Sequence, residues 1–356
     1  MIKILHTADW HLDAPMVGHS PETARVLQQE SRKIPEKIAR MCKEEACDLL
    51  LIAGDLFDGE ASRETIQAVM VALGSLDIPV VISPGNHDYF HPGSPYLKED
   101  WPGNVHIFKK AQIESFSLPE LDCRIYGAGY ESMDCPGLLK RFRAEGEERF
   151  HIGVFHADAT TASPYFPVTR HQVQESGLDY VALGHIHKQG SLNAGETLCL
   201  WPGCPMGRGF DELGPKGVIV ATLGDRNEAV FKPLDTPRFY DEQIAAGDDA
   251  AAALSAILPA IDSNDFYRVT LTGYSAEIDT AALAAQFAHV PNLVLRDQTL
   301  PTPDLWKNTD TDTLEGLLFS QLKEAADSPS EILSKQAALA AQICRSILDG
   351  QEVVLP

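Results

Sequence analysis

Metal-ligand residue types recur just after apolar, strand-like runs through the first half of this chain. Asp9-x-His11 follows Ile2 to Leu5, Gly54-Asp55-x-x-Asp58 follows Leu49 to Ala53, and Gly85-Asn86-His87-Asp88 follows Ile78 to Ile82. His156 then closes the run from Ile152 to Phe155, and Gly184-His185-x-His187 follows Tyr180 to Leu183. No other feature constrains the fold as strongly. Strands laid side by side bring residues distant in sequence to one sheet edge, and open α/β sheets generally bind ligands beyond the carboxyl ends of their strands.

The runs themselves are apolar at successive positions, as strands covered on both faces demand. They alternate with helical patterns such as Glu22 to Ala46, in which Pro35 predicts a kink or a break. Between Gln189 and Leu234 the strands shorten and are separated by Gly and Pro, which predicts a second, more antiparallel sheet packed on the first. The expected fold is α/β: a two-sheet β-sandwich flanked by helices in α-β-β-α layers, with a smaller C-terminal α+β accessory domain and a helical tail. The domain boundaries are placed at 1–235, 236–303 and 304–356, where Asp235-Thr-Pro237 and Pro301-Thr-Pro303 break the pattern. Thr313 and Ser330 are expected to cap the two tail helices.

Lys and Arg number 29 against 51 Asp and Glu, a net charge of −22, which speaks against a chain that grips a polyanion by itself. Its basic clusters, Lys109-Lys110 and Lys140-Arg141-x-Arg143, are short and read as solvated faces. The seven cysteines form no C-x-x-C pair and are expected to be reduced thiols. No leader-like segment opens the chain and no apolar run reaches membrane-spanning length, so a cytoplasmic location without membrane association is expected.

A hydrolytic two-metal site needs hard oxygen and borderline nitrogen donors, a carboxylate able to bridge both ions, and open positions for water and phosphate. Asp9 and His11, two apart, point the same way if their segment is extended, and then clasp one ion together. Asp55 follows a glycine that permits close backbone approach, which makes it the candidate bridging carboxylate. Asn86 offers a neutral amide oxygen, and His156, His185 and His187 complete the donor set. Singly, each signal fits an ordinary hydrogen-bonded residue. Their ordered recurrence after strands argues for a dinuclear centre that hydrolyses phosphoesters.

On these motifs the chain resembles the calcineurin-like metallophosphoesterase superfamily. Within it, His11-Leu-Asp-Ala-Pro15, Trp201-Pro-Gly203 and the Gly-rich stretch Gly207 to Gly217 resemble the SbcD-type DNA repair exonucleases, especially the bacterial YhaO-like branch. The later residues resemble that family only in kind. The resemblance implies that Asp9, His11, Asp55 and His187 hold one metal and that Asp55, Asn86, His156 and His185 hold the other. It implies two divalent ions, manganese first, with iron, magnesium or zinc as alternatives. His87 would contact the scissile phosphate and assist the leaving oxygen, with Asp58 orienting it. A carboxylate beside an imidazole raises its pKa and fixes its tautomer, which suits a general acid. Asp58 stands where many archaeal and eukaryotic relatives have histidine, and Ala157 where glycine is common.

The leading expectation is therefore a metal-dependent DNA phosphodiesterase, an exonuclease in which activated water attacks phosphorus in line. Its partners would be DNA and an SbcC-like coiled-coil ATPase docked on the C-terminal helices, and homodimerisation is a further expectation. Two alternatives remain open: a small-molecule phosphodiesterase or phosphatase using the same centre, and a non-catalytic adaptor for such an ATPase. Arg208 and Lys216 are candidates for phosphate contact or for salt bridges. Tyr89, Phe90, His91, Tyr96, Trp101, Tyr165 and Phe166 are candidates for the substrate path or the edge of the core. His6, His19, His106, His151, His171 and His289 read as structural.

Overall fold

Leu49–Ile52 is buried at every position, the signature of a strand covered on both faces. In the computed structural model, which describes residues 1–159, 162–302, 304–350 and 353, that strand lies inside a six-stranded sheet. Pro303, one of the expected boundary residues, and the end of the tail lie outside the described residues.

The first sheet runs, in spatial order, Glu228–Pro233, Gly217–Leu223, Ile2–Thr7, Leu49–Ile52, Val80–Ile82, Val105–Ile107. Its last four strands are mutually parallel; Gly217–Leu223 joins them antiparallel, with Ile4 opposite Ala221, and Glu228–Pro233 pairs antiparallel with Gly217–Leu223 in turn. The second sheet runs Glu114–Leu118, Cys123–Gly127, Phe150–His156, Tyr180–Gly184, Leu198–Trp201, Gly190–Ser191. It too has a parallel centre with antiparallel edges.

The two-sheet sandwich is as expected, but the assignment of strands to sheets is not. Phe150–His156 and Tyr180–Gly184 build the second sheet, Leu198–Trp201 joins it in parallel, and the two strands after Gly217 cap the first. A continuous apolar run reports that both faces of a strand are covered, not which sheet it belongs to. Alternate residues of both sheets, among them Leu49, Leu51, Val81, Ile152, Val154, Ala182 and Ala221, meet in one core. His6 crosses that core: its ring nitrogens lie 2.9 Å from the Tyr180 hydroxyl and 3.1 Å from the Leu183 carbonyl oxygen.

The helical run at 22–46 is broken into Pro21–Ser31 and Ile34–Glu44, with Pro35 in the first turn of the second helix, where its missing N–H costs nothing. All seven cysteines are free, six of them buried.

The chain divides into two compact units, Met1–Phe239 and Tyr240–Pro356. Phe239, the last residue of the first unit, is buried, its ring against Phe210 and His19. All but the first residue of a three-stranded sheet, in the order Phe239–Ala245, Phe266–Thr272, Leu293–Asp297, lies in the second unit, and the sequence pattern does not reveal the sheet's first strand. Leu254, Val269, Leu271, Leu283 and Phe287 form its core. The helices Leu314–Ala326 and Glu331–Leu348, capped by Thr313 and Ser330, belong to this same unit. Among the described residues no helix is long and apolar enough to cross a membrane.

Candidate metal centre

Five loops meet beyond the carboxyl ends of parallel strands from both sheets. Backbone bonds lock them together: Asp9 N donates to Gly54 O at 3.0 Å, His11 N to Asp55 O at 2.9 Å, and Ser83 N to Ile52 O at 3.0 Å. Asp9, His11 and Asp55 have φ values of 56°, 45° and 52°, so the pleated geometry expected for Asp9 and His11 is replaced by left-handed turns. A left-handed non-glycine residue costs about 1–2 kcal/mol. Such strain persists where the surroundings over-determine the backbone, as these cross-loop bonds do.

Two glycines permit the approach. A Cβ on Gly85 would lie 2.2 Å from Asp55 Oδ1, and one on Gly54, at φ +93°, would lie 2.4 Å from His156 Nδ1.

The structure brings every expected donor into one cluster. Asp55 Oδ2 lies 3.2 Å from His156 Nε2 and 3.6 Å from His11 Nε2, between the two groups assigned to different ions. On one side, His11 Nε2 and His187 Nε2 face each other at 3.0 Å, and Asp9, His11 and His187 present donors within 4.8 Å of one another. On the other, Asn86 Oδ1 lies 3.0 Å from His156 Nε2 and 3.2 Å from His185 Nδ1. Asp9 Oδ1 accepts from His185 N at 2.9 Å, joining the two sides. His87 stands at the rim with 42% of its side chain exposed, its Nδ1 2.5 Å from Asp58 Oδ1.

This donor set fits divalent cations. Asp9 Oδ2 is buried and has no hydrogen-bond partner among the described residues, and a buried carboxylate oxygen is retained at such a cost only where something positive meets it. Two imidazole nitrogens face to face, and an amide oxygen facing two more, are arrangements that a shared cation satisfies. Electrostatics agree. Burial would raise the Asp55 carboxyl, but His156, His11 and His87 hold it below the usual carboxylate range. Burial opposes the charged form of His156, yet Asp55 outweighs it and pushes the ring up to about 9. His185, also desolvated and beside His156, is pushed down to about 4. Hydrogen bonds from His11 and His87 lower Asp58, and Asp58 in turn raises His87.

One residue at the site was not singled out by its sequence. Glu212 is buried, and its Oε1 lies 2.6 Å from His187 Nδ1 while Oε2 accepts from Arg208 N at 2.8 Å. The Gly-rich stretch from Gly207 is the signal the sequence offers for it, in the same loop as Arg208 and Lys216. Arg208 pairs with Glu212 at 3.3 Å, and Lys216 Nζ lies 3.4 Å from the His187 carbonyl oxygen.

Tyr96 is a framework residue. It is buried, stacks on Trp101 and Phe90, and donates its hydroxyl to Asp88 Oδ2 at 2.6 Å, while Asp88 also accepts from Gly85 N and Leu56 N at 2.7 Å each. Phe166 packs on Phe155 in the outer core. Tyr165 does face the site, its ring 4.7 Å from that of His185. His91 is exposed, beside Tyr89, and accepts from the nearby Gly93 N.

A model of the calcineurin-like phosphoesterase family matches residues 2–189. The chain is 35% identical over 242 residues to the uncharacterized metallophosphoesterase YhaO of Bacillus subtilis (strain 168), a match covering 63% of this chain and 58% of that protein. It thus spans little more than half the length of that relative. Among solved structures, a protein of Thermus thermophilus matches at 15% identity and a TM-score of 0.39, covering 61% of this chain and 93% of that one. A dimetal phosphatase from Danio rerio matches at 13% identity and a TM-score of 0.43, covering 65% and 98%.

Proposed function

The chain belongs to the calcineurin-like phosphoesterase family, and from that premise we propose that it is a two-metal phosphodiesterase acting on DNA, an SbcD-like exonuclease of DNA repair. The observation that carries the hydrolytic part is the position of Asp55 between two donor groups, with the His87–Asp58 pair at the open rim. Two divalent ions held there, manganese first among them, would supply Lewis acidity toward a phosphoryl oxygen and would lower the pKa of water.

The chain's own residues do the rest. Asp9, His11, Asp55 and His187 form one ligand group and Asp55, Asn86, His156 and His185 the other. His87, as the doubly protonated imidazolium with its Nδ1–H held by Asp58, would turn its Nε2–H to the leaving oxygen, give up that proton and be left as the neutral ring protonated at Nδ1. Ser83, Gly85 and Asp88 keep the Asn86 turn in place through their hydrogen bonds.

DNA as the substrate rests on the resemblance of the Trp201 to Gly217 motifs and on the presence of a second folded unit. The paired helices of that unit expose Leu314, Leu317, Ile332, Leu333 and Ile347, which suits docking of an SbcC-like ATPase. Such a partner would supply the DNA affinity that a net charge of −22 withholds. The same charge favours the second reading, a small phosphodiester as substrate. A manganese-titrated assay on linear duplex, single-stranded DNA and a generic phosphodiester, with Asp55→Ala as control, separates them. DNA cleavage that depends on Asp55 is expected. Hydrolysis of the small ester alone, even with the ATPase supplied, overturns the DNA reading.

A further inference from the structure

We infer that Glu212 and Arg208 together select the tautomer of His187, and so decide whether its Nε2 is available to a metal ion. This inference rests on the two-metal reading of the site but not on the identity of the substrate.

A neutral imidazole ligates through whichever nitrogen lacks the proton, and the hydrogen bond at the other nitrogen sets which that is. His187 directs Nε2 at His11 Nε2, 3.0 Å away, on the side of the cluster that also holds Asp9. Its Nδ1 has two neighbours of opposite character. Glu212 Oε1, at 2.6 Å, can only accept when ionised, so it favours the proton on Nδ1 and a lone pair on Nε2. The Arg208 guanidinium, at 3.1 Å, can only donate, so it favours the lone pair on Nδ1 and a proton on Nε2, where it would block ligation.

The geometry resolves the competition in favour of Glu212. Its contact is the shorter one and is assisted by charge. Glu212 also occupies Arg208, accepting from both its backbone N–H at 2.8 Å and its guanidinium at 3.3 Å. The chain around Glu212 is built to hold it: Glu212 N donates to Gly209 O at 3.0 Å, and a Cβ on Gly207 would lie 2.7 Å from the Glu212 carbonyl oxygen. The Gly-rich motif is thereby explained as a loop that presents one carboxylate to the back of one histidine.

Removing Glu212 does more than delete a hydrogen bond, because it leaves Arg208 beside Nδ1 to stabilise the non-ligating tautomer. The consequence is a non-additive pair of variants. Manganese binding to the full chain is measured by calorimetry and by electron paramagnetic resonance, and the His187 tautomer by nitrogen chemical shifts in the metal-free, histidine-labelled protein. Glu212→Ala is expected to weaken one of two manganese sites by about 10–100-fold, the range for lost outer-shell partners of metal ligands. The His187 proton should move to Nε2. Glu212→Gln, which keeps an acceptor oxygen, should fall between Glu212→Ala and wild type. Adding Arg208→Ala to Glu212→Ala should recover part of the lost affinity, a result that mere loosening of the loop would not give.

Wild-type affinity and an unchanged tautomer in Glu212→Ala overturn the inference, as does a double variant that binds more weakly than the single one. A wild-type protein that binds no manganese overturns the two-metal reading itself and this inference with it.

Discussion

His87 Nδ1 lies 2.5 Å from Asp58 Oδ1, and the same carboxylate oxygen is 3.4 Å from His11 Nδ1. One carboxylate thus touches the proposed proton donor and the back of a proposed metal ligand. The His87 and His11 rings meet edge to face at 4.7 Å, so the two functions share a wall.

Asp58 raises the pKa of His87, chiefly through this hydrogen bond. The protonated ring is the competent donor, so turnover is expected to persist below that raised pKa and to fall as pH rises through it. Asp58→Asn removes the charge, so the alkaline limb of the pH–rate profile should move to lower pH. His87→Ala should lose about 10²–10⁴-fold in turnover, the usual worth of general acid catalysis, while retaining its manganese. Full activity in His87→Ala would remove the residue from the mechanism.

The glycines at the site make a separate prediction. Alanine at Gly85 places a methyl group 2.2 Å from Asp55 Oδ1, so either the carboxylate or the turn must shift. Overpacking of this kind costs about 1–3 kcal/mol, and here it displaces the Asp55 carboxylate, whose other oxygen lies between the two donor groups. Gly85→Ala should therefore lose bound metal as well as thermal stability. Gly18→Ala is the control: Gly18 has φ +84° but open space around it, so strain alone should appear, with metal content intact.

His6 predicts an acid sensitivity unrelated to the metals. Burial pushes its pKa from 6.5 down to about 3 between the two sheets. As pH falls below 6.5 the unfolded chain takes up a proton that the folded chain refuses until about 3. Its contribution to stability is thus full above 6.5 and is lost as pH falls through that window. Relative to wild type, His6→Gln should show a shallower decline of stability between those limits, smaller by about one linked proton. Equal slopes in chemical denaturation at matched pH values would remove His6 as the cause.

What the sequence made legible was local. Asp9, Asp55, Asn86, His156 and His185 each sit at or just beyond a strand end, and strand ends show as breaks in apolar runs. Sheet membership was not legible, because Ile152 to Phe155 reads the same in either layer of a sandwich. Nor were the left-handed turns at Asp9 and His11, since bonds to Gly54 and Asp55, far off in sequence, impose them. Glu212 was hidden for a similar reason. The Gly-rich stretch marks its loop, but nothing local says which side chain a glutamate there will face until folding places it behind His187, 25 residues away. The strand Phe239–Ala245 was masked by its mixed polar and apolar residues, most of them exposed or partly exposed in the fold.

Asp9 carries the prediction that joins stability to function. Its Oδ2 is buried without a hydrogen-bond partner among the described residues, a cost that the metal-free fold carries and a bound cation removes. A ligand that binds only the folded chain stabilises it by about 2.7 kcal/mol at one hundred times its dissociation constant. Manganese should therefore raise the thermal midpoint of the wild type and chelation should lower it. Asp9→Asn replaces the charge with an amide, so its chelated midpoint should exceed that of the chelated wild type, while most of the manganese-dependent shift disappears. The crossing of those two curves is the measurement to make: wild type less stable without metal and more stable with it. If Asp9→Asn is the less stable protein in both conditions, the unpartnered oxygen is not what the cation relieves.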